Sequence, residues 1–238
     1  MLYLPLNRSQ VLQLLPAHGV CAEIGVLEGD FSEEILKHAL PEKLHLIDPW
    51  LHQDREDYQK DHANAEDAVQ DARYQGVLRK FASRIDAGTV EIIREFSDVA
   101  IDRFEDKSLD WVYIDAVHSY DGALADLRAF APKIKDDGFI LGHDFTNSPP
   151  ARKMEFGVVE AVRDFLAESG WSFVALTSEN FPTYVLAKDM SSRNAQDLIS
   201  ECILKVPFIV EIKEPFRSGP YHRQVVYPDK TIRYVMSF

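Results

Sequence analysis

The loop after the first predicted strand constrains this chain more than any other stretch. Val20 to Ile24 is an apolar run that predicts a buried strand, and Gly25 and Gly29 mark the loop after it. Asp30 and Glu33 have capping-box spacing, which predicts that a helix begins there. Glycines let a ligand approach the backbone, and the N–H groups of a helix N-terminus favour carboxylates and phosphates. The stretch therefore predicts a nucleotide-type site, although an ordinary strand-to-helix turn has the same pattern.

The spacing of the two glycines separates two classes of cofactor. A dinucleotide site has the pattern GxGxxG, whereas Gly25 to Gly29 reads GxxxG. With Glu23 before it, the run resembles motif I of the class I S-adenosylmethionine-dependent methyltransferases. This resemblance implies that Glu23, Gly25 and Gly29 line the methionine end of S-adenosylmethionine. A nicotinamide-dependent oxidoreductase is the alternative enzyme, and a protein that binds S-adenosylmethionine without turnover is the non-catalytic alternative.

Composition limits the size, compartment and partners of the protein. Its 238 residues, 46% of them apolar, suffice for one large α/β domain. No apolar run reaches the roughly 18–20 residues of a membrane helix, and the first residues lack a signal-peptide pattern. The two cysteines, Cys21 and Cys202, cannot build a disulfide framework, so a cytoplasmic protein is expected. The net charge of −13 argues against a nucleic-acid substrate, because phosphate binding requires a basic surface.

Strand and helix patterns alternate along most of the chain. The predicted strands are 20–24, 43–48, 89–93, 109–115, 139–142, 171–176 and 183–187. This order predicts an α/β, Rossmann-like doubly wound sheet of about seven mainly parallel strands, with the last hairpin strand antiparallel. Residues 1–188 are predicted to form this domain. Residues 189–238 are predicted to be a β-rich extension, strand-like at 203–212 and 225–236, that covers the substrate or mediates dimerisation.

Polar side chains stand at the ends of five predicted strands. They are Glu23, Asp48, Ser97, Asp115 with His118, and His143 with Asp144. Because ligands of such sheets bind outside the carboxyl ends of the strands, we expect these side chains to share one site. Asp48 is expected to accept hydrogen bonds from ribose hydroxyls, although Asp-Pro is also a turn pattern. Ser97 either caps the helix after it or approaches the adenosine.

Two further motifs extend the resemblance to residues 18–188. Ile114-Asp115-Ala116-Val117-His118-Ser119-Tyr120 follows the fourth strand, and Gly142-His143-Asp144-Phe145 follows the fifth. Together they resemble a branch of the class I methyltransferases with small-molecule substrates, similar to macrolide-sugar O-methyltransferases and cephalosporin-hydroxylase-associated proteins. The resemblance implies that Asp115, which also belongs to the cofactor site, and His118 face the transferred methyl group.

The same resemblance implies a candidate metal site. In relatives that bind Mg²⁺, acids after the fourth and fifth strands are the ligands, so Asp115 and Asp144 are the candidates here. This chain departs from that pattern, because His143 and Val117 stand where those relatives have further acids. Fewer oxygen ligands remain than octahedral Mg²⁺ favours, although water can complete the shell.

The expected reaction is methyl transfer from S-adenosylmethionine to a small molecule, with O-methylation by direct displacement. The protein must position the reactants and remove the acceptor's proton. His118 is the predicted base because histidine titrates near neutral pH, and Asp115 and His143 are the alternatives. A structural role, in which His118 binds a nearby carbonyl group, stays open. The sequence leaves open both the acceptor and whether the protein forms a homo-oligomer.

Overall fold

The computed structural model of the chain describes residues 1–56, 58–59, 61, 63–217 and 221–237. Its strands are β1 (Leu2–Leu4), β2 (Val20–Ile24), β3 (Lys43–Ile47), β4 (Val90–Ile93), β5 (Leu109–Ile114), β6 (Ile134–Gly142), β7 (Ser172–Thr177), β8 (Tyr184–Ala187), β9 (Val210–Glu211), β10 (Tyr221–Val226) and β11 (Ile232–Ser237). Its α-helices are α1 (Arg8–Val11), α2 (Asp30–His38), α3 (Asp67–Asp86), α4 (Ser97–Ala100), α5 (Tyr120–Phe130), α6 (Pro149–Lys153), α7 (Val158–Ser169) and α8 (Arg193–Lys205).

One sheet organises the molecule, with the strand order β4-β3-β2-β5-β6-β8-β7-β1-β9. Strands β2 to β6 are parallel to one another, and β8 lies antiparallel between β6 and β7. The predicted doubly wound fold and its antiparallel hairpin strand are therefore confirmed. The sheet is wider than predicted because β1 adds parallel to β7 and β9 adds antiparallel to β1.

The central strand β5 is buried on both faces. Trp111 and Tyr113 pack into one core cluster, and Val112 and Ile114 pack into the other. Successive side chains of a strand point to opposite faces, so a strand between two covered faces needs apolar residues at every position. This burial explains why the central strands appear in the sequence as short continuous apolar runs.

The C-terminal region differs from its prediction at one element. Helix α8 was not predicted, and the strand-like interpretation of 203–212 is wrong except at β9, because residues 203–205 end this helix and a turn follows them. Ala195, Leu198 and Cys202 have helical spacing and pack into a core cluster of the sheet, and the Ser192 hydroxyl accepts the Ala195 N–H at 3.3 Å. Strands β10 and β11 form a separate antiparallel pair. The division of the chain at residue 188 stays a prediction.

Across the described part of the chain, no helix is both long enough and apolar enough to span a bilayer.

Candidate active site

A cavity of about 660 Å³ lies at the carboxyl ends of β2, β3, β5 and β6. Eight of the predicted site residues line it, namely Glu23, Gly25, Asp48, Ser97, Asp115, His118, His143 and Asp144. Gly29 lies between two further lining residues, Glu28 and Asp30. The cavity falls within the size range of small-molecule sites, about 300–1,000 Å³.

The glycine-loop end of the cavity consists of Glu23, Gly25, Gly29 and Asp48. Gly25 has a φ of +87°, and a Cβ built on it would lie 2.0 Å from the carbonyl oxygen of Asp115. Only glycine therefore fits where the loop crosses the end of β5. Gly29 has a φ of +75° and is the N-cap of α2, so the helix begins as predicted but without the predicted side-chain capping box.

The Asp48 carboxylate fixes the conformation of this loop. Its Oδ2 accepts hydrogen bonds from the N–H groups of Val26 and Leu27, both at 3.0 Å, and its Oδ1 accepts the N–H of Trp50 at 2.7 Å. Burial raises the pKa of Asp48 although these three backbone donors favour the charged form. Asp48 thus supports the loop directly, and its contact with a ribose stays a prediction.

Glu23 is buried behind the glycine loop. Its Oε2 accepts a hydrogen bond from the Ser32 hydroxyl at 2.5 Å. Burial raises the pKa of Glu23 to about 8, because the loss of water outweighs the Ser32 hydrogen bond. A cationic group of a ligand placed beside Glu23 would favour its ionised form.

The histidine–acid cluster consists of Asp115, His118, His143 and Asp144. The Asp144 carboxylate joins the two rings, with its Oδ2 at 2.9 Å from His118 Nε2 and 3.2 Å from His143 Nδ1. His118 Nε2 is also 3.5 Å from Asp115 Oδ1. Asp144 has a positive φ of 59°, a left-handed conformation that Asp and Asn adopt more readily than most residues.

Charge attraction within the cluster outweighs the cost of burying it. Burial opposes the charged form of His118, but Asp144 and hydrogen bonds to Asp115, Asp144 and Asp61 raise the pKa of His118 well above its usual value. Burial likewise opposes charge on Asp144, yet the two histidines lower the pKa of this carboxyl. Both shifts favour an imidazolium–carboxylate pair between His118 and Asp144.

Arg8, Asp61 and Asp126 belong to the site, and none of them was predicted as a site residue. Arg8 Nη1 donates to Asp115 Oδ2 at 2.9 Å, and Asp61 Oδ2 is 3.3 Å from His118 Nδ1. The Ser97 hydroxyl donates to Asp126 Oδ1 at 2.6 Å, so Ser97 does not cap α4 with its side chain. Burial raises the pKa of Asp126 to about 6.

The donors of the cluster do not fit the candidate Mg²⁺ site. Ligand atoms of Asp115, His118 and Asp144 lie within 4.8 Å of one another. Mg²⁺ prefers an octahedron of oxygens, whereas one of these three donors is an imidazole nitrogen. The Arg8 guanidinium and the His118 ring already supply positive charge to the two carboxylates.

Aromatic rings wall the cavity beside the cluster. The Phe156 ring centroid lies 4.6 Å from that of His118, and the Phe181 centroid lies 6.2 Å from that of Phe156. Met154 also lines this part. The arrangement combines ionised groups on one side with apolar walls on the other, as small-molecule sites commonly do.

Comparisons with known proteins identify the domain and the fold. A family model described as "Methyltransferase domain" matches residues 22–145, just over half of the chain. No curated protein sequence matches this chain. The spermidine synthase of Thermotoga maritima has a TM-score of 0.52 and 17% identity, over 85% of this chain and 64% of that one. This chain therefore spans less than two thirds of that relative.

Two further structures are similar. The N-methyltransferase NodS of Bradyrhizobium japonicum has a TM-score of 0.53 and 11% identity, over 75% of this chain and 92% of that one. The B. subtilis tRNA methyltransferase TrmK has a TM-score of 0.52 and 9% identity, over 78% of this chain and 68% of that one. At these identities, the likeness shows a shared fold.

Proposed function

The chain belongs to this methyltransferase-domain family, and we propose that it transfers a methyl group from S-adenosylmethionine to a hydroxyl group of a small molecule. One observation carries the proposal. The backbone of Asp115 touches Gly25 in the glycine-loop end, while its side chain is 3.5 Å from His118 in the histidine–acid cluster. Asp115 therefore connects the two parts of the site: its backbone lies against the glycine loop, and its side chain belongs to the histidine–acid cluster.

The glycine-loop end would hold the cofactor. Gly25 lets a ligand approach the backbone, and Asp48 holds the loop through the N–H groups of Val26 and Leu27. The GxxxG spacing and the domain match favour S-adenosylmethionine over the nicotinamide alternative. Ser97 and Asp126 line the same cavity and offer hydrogen-bonding groups for the adenosine.

The acceptor would lie between the histidine–acid cluster and the aromatic wall. The net charge of −13 and the many acids of the cavity disfavour a polyanionic acceptor such as RNA. The rings of Phe156 and Phe181 suit an apolar scaffold that carries a hydroxyl group.

Methyl transfer requires alignment and a base. S-adenosylmethionine supplies a sulfonium whose S–CH₃ bond breaks as the O–CH₃ bond forms. We assign His118 as the base: its Nε2–H donates to Asp144, and its Nδ1, which faces Asp61 Oδ2 at 3.3 Å, would take the hydroxyl proton once the acceptor displaces the Asp61 carboxylate. His118 loses its own proton more readily once a cationic ligand lies beside it, because like charges disfavour each other. Asp115 is the alternative base.

Calorimetric titration with S-adenosylhomocysteine tests the cofactor. Wild type is expected to bind at micromolar concentration, and Asp48→Ala about tenfold or more weakly, about 1.4 kcal/mol, because the N–H groups of Val26, Leu27 and Trp50 lose their acceptor. Asp54→Ala, at a side chain 99% exposed, is the matched control and is expected to bind like wild type.

Binding of NADH without binding of S-adenosylhomocysteine would replace the proposal with an oxidoreductase. The acceptor class is tested by release of S-adenosylhomocysteine from S-adenosylmethionine over a panel of hydroxylated small molecules. Methylation of bulk tRNA in a parallel reaction, with none of the small molecules methylated, would overturn the small-molecule assignment.

A further inference from the structure

The cavity is strongly acidic, with one exception at its glycine-loop end. Its lining contains the acidic residues Glu23, Glu28, Asp30, Asp48, Asp61, Asp98, Asp115, Asp126 and Asp144. Two arginines, Arg8 and Arg55, line it among the described residues. Arg55 is exposed, and its charge acts on Asp126 beside Ser97. Arg8 is therefore the arginine that lies at the glycine-loop end, where Gly25 approaches Asp115.

Arg8 is held in a fixed place between that loop and the cluster. Its Nη1 donates to Asp115 Oδ2 at 2.9 Å, and its guanidinium carbon lies 4.3 Å above the Phe31 ring centroid. Its side chain keeps 33% exposure, so part of the guanidinium group stays accessible. A planar guanidinium offers several N–H donors in a fixed geometry that matches a carboxylate.

The N-terminal segment delivers Arg8 to this position. Strand β1 pairs with β7, and the N–H of Ser178 donates to the Leu6 carbonyl at 3.1 Å. Asn7 and Gln10 then form a reciprocal capping box that starts α1. Arg8 is the first residue of this helix, so an edge strand and a cap together define where its side chain begins.

The amino-acid end of S-adenosylmethionine is a zwitterion with a carboxylate and an ammonium group. Acids are abundant around the cavity and can receive the ammonium, whereas a carboxylate would be repelled at most places on the lining. We propose that Arg8 binds the cofactor's carboxylate and makes the site selective for the carboxylated cofactor. This inference rests on the proposed function, since it names the group that recognises one end of that cofactor.

A pair of matched ligands tests the assignment by calorimetry. S-adenosylhomocysteine carries the carboxylate, and S-adenosylthiopropylamine is the same molecule without it. We expect Arg8→Met to weaken S-adenosylhomocysteine about tenfold or more, because a charge-assisted hydrogen bond is lost. S-adenosylthiopropylamine should change less than about threefold. Arg8→Lys should recover part of the loss, and Arg193→Met, at a side chain that is 91% exposed and outside the cavity, is the matched arginine control.

The outcomes separate the inference from the proposed function. An equal loss for both ligands in Arg8→Met would overturn the inference, since Arg8 would then act through Asp115 or the fold. Unchanged S-adenosylhomocysteine affinity in this variant would overturn it as well. Failure of wild type to bind S-adenosylhomocysteine would instead overturn the proposed cofactor, and the carboxylate assignment with it. Thermal melts of all variants without ligand show whether each one is folded.

Discussion

The two ends of the cavity are held by different kinds of interaction, backbone contacts at one end and charged side chains at the other. The glycine-loop end is shaped by backbone, because Gly25 admits the Asp115 carbonyl and Asp48 binds three backbone N–H groups. The histidine–acid cluster is shaped by side-chain charge, because Asp144 holds two imidazole rings. Backbone geometry suits an invariant ligand such as a cofactor, and a charged cluster suits proton transfer. The two ends should therefore fail differently when mutated.

The largest effect is expected at the cluster, in Asp144→Asn. Asn tolerates the positive φ of this residue, but it removes the charge that faces His118. Turnover should fall about a thousandfold, measured as S-adenosylhomocysteine release on any acceptor that wild type methylates. Affinity for S-adenosylhomocysteine should stay within about threefold. A parallel loss of affinity would show that the two ends are not separable.

The next effect is expected at the loop, in Gly25→Ala. Its Cβ would lie 2.0 Å from the Asp115 carbonyl oxygen, in addition to the cost of a φ of +87°. Denaturant titration should show a loss of about 3 kcal/mol or more in the free energy of unfolding. Gly88→Ala is the matched control, because Gly88 has a φ of +76° but no atom within 4 Å of its added Cβ.

Gly88→Ala should lose only about 1 kcal/mol, the conformational cost alone. Equal losses in the free energy of unfolding at Gly25 and Gly88 would mean that the loop moves to relieve the steric clash. The backbone contact with Asp115 would then not fix the conformation of the loop.

The smallest effect is a pH dependence at Glu23. The carboxyl has an ordinary pKa of 4.5 and a folded pKa of about 8. Below both values it is protonated in both states. Between them the unfolded chain releases a proton that the folded protein keeps, so stability falls as the pH rises. Glu23→Gln cannot titrate, so its advantage in the free energy of unfolding over wild type should grow as the pH rises from about 5 to about 9.

This advantage of Glu23→Gln should shrink towards about pH 5, which denaturant titrations across this range would measure. The exposed Glu42 provides the control variant Glu42→Gln, which should follow wild type. A constant difference between Glu23→Gln and wild type at every pH would contradict the raised pKa of Glu23.

The sequence predicts what depends on local pattern and on the general rule for parallel sheets. The strands β2 to β5 and the second half of β6 are visible as apolar runs, and the rule places their polar ends together. Strand β1 was missed because three residues before Pro5 are stable as a strand only when paired with β7. Helix α8 did carry a signal, since Ala195, Leu198 and Cys202 have helical spacing after the capping Ser192.

The candidate site divides in the same way. Gly25, Asp48 and Asp144 follow strands directly, so chain order predicts their place. Arg8 and Asp61 do not follow a strand of the site, and they reach the cluster through an N-terminal helix and a loop. No spacing of residues along the sequence predicts these contacts of Arg8 and Asp61 with the cluster. They depend on how distant segments pack, and a single sequence does not reveal that packing.

The left-handed backbone conformation at Asp144 limits which substitutions this position can accept during evolution. Ordinary L-residues pay roughly 1–2 kcal/mol in that conformation, while Asp, Asn and Gly adopt it more easily. Glu would keep the charge but strain the turn, and Asn would keep the turn but lose the charge. A single substitution of Asp144 could therefore preserve the fold, as Asn would, but it would remove the charged partner of His118 or strain the backbone. Descendants would then be stable proteins that bind the cofactor without using it.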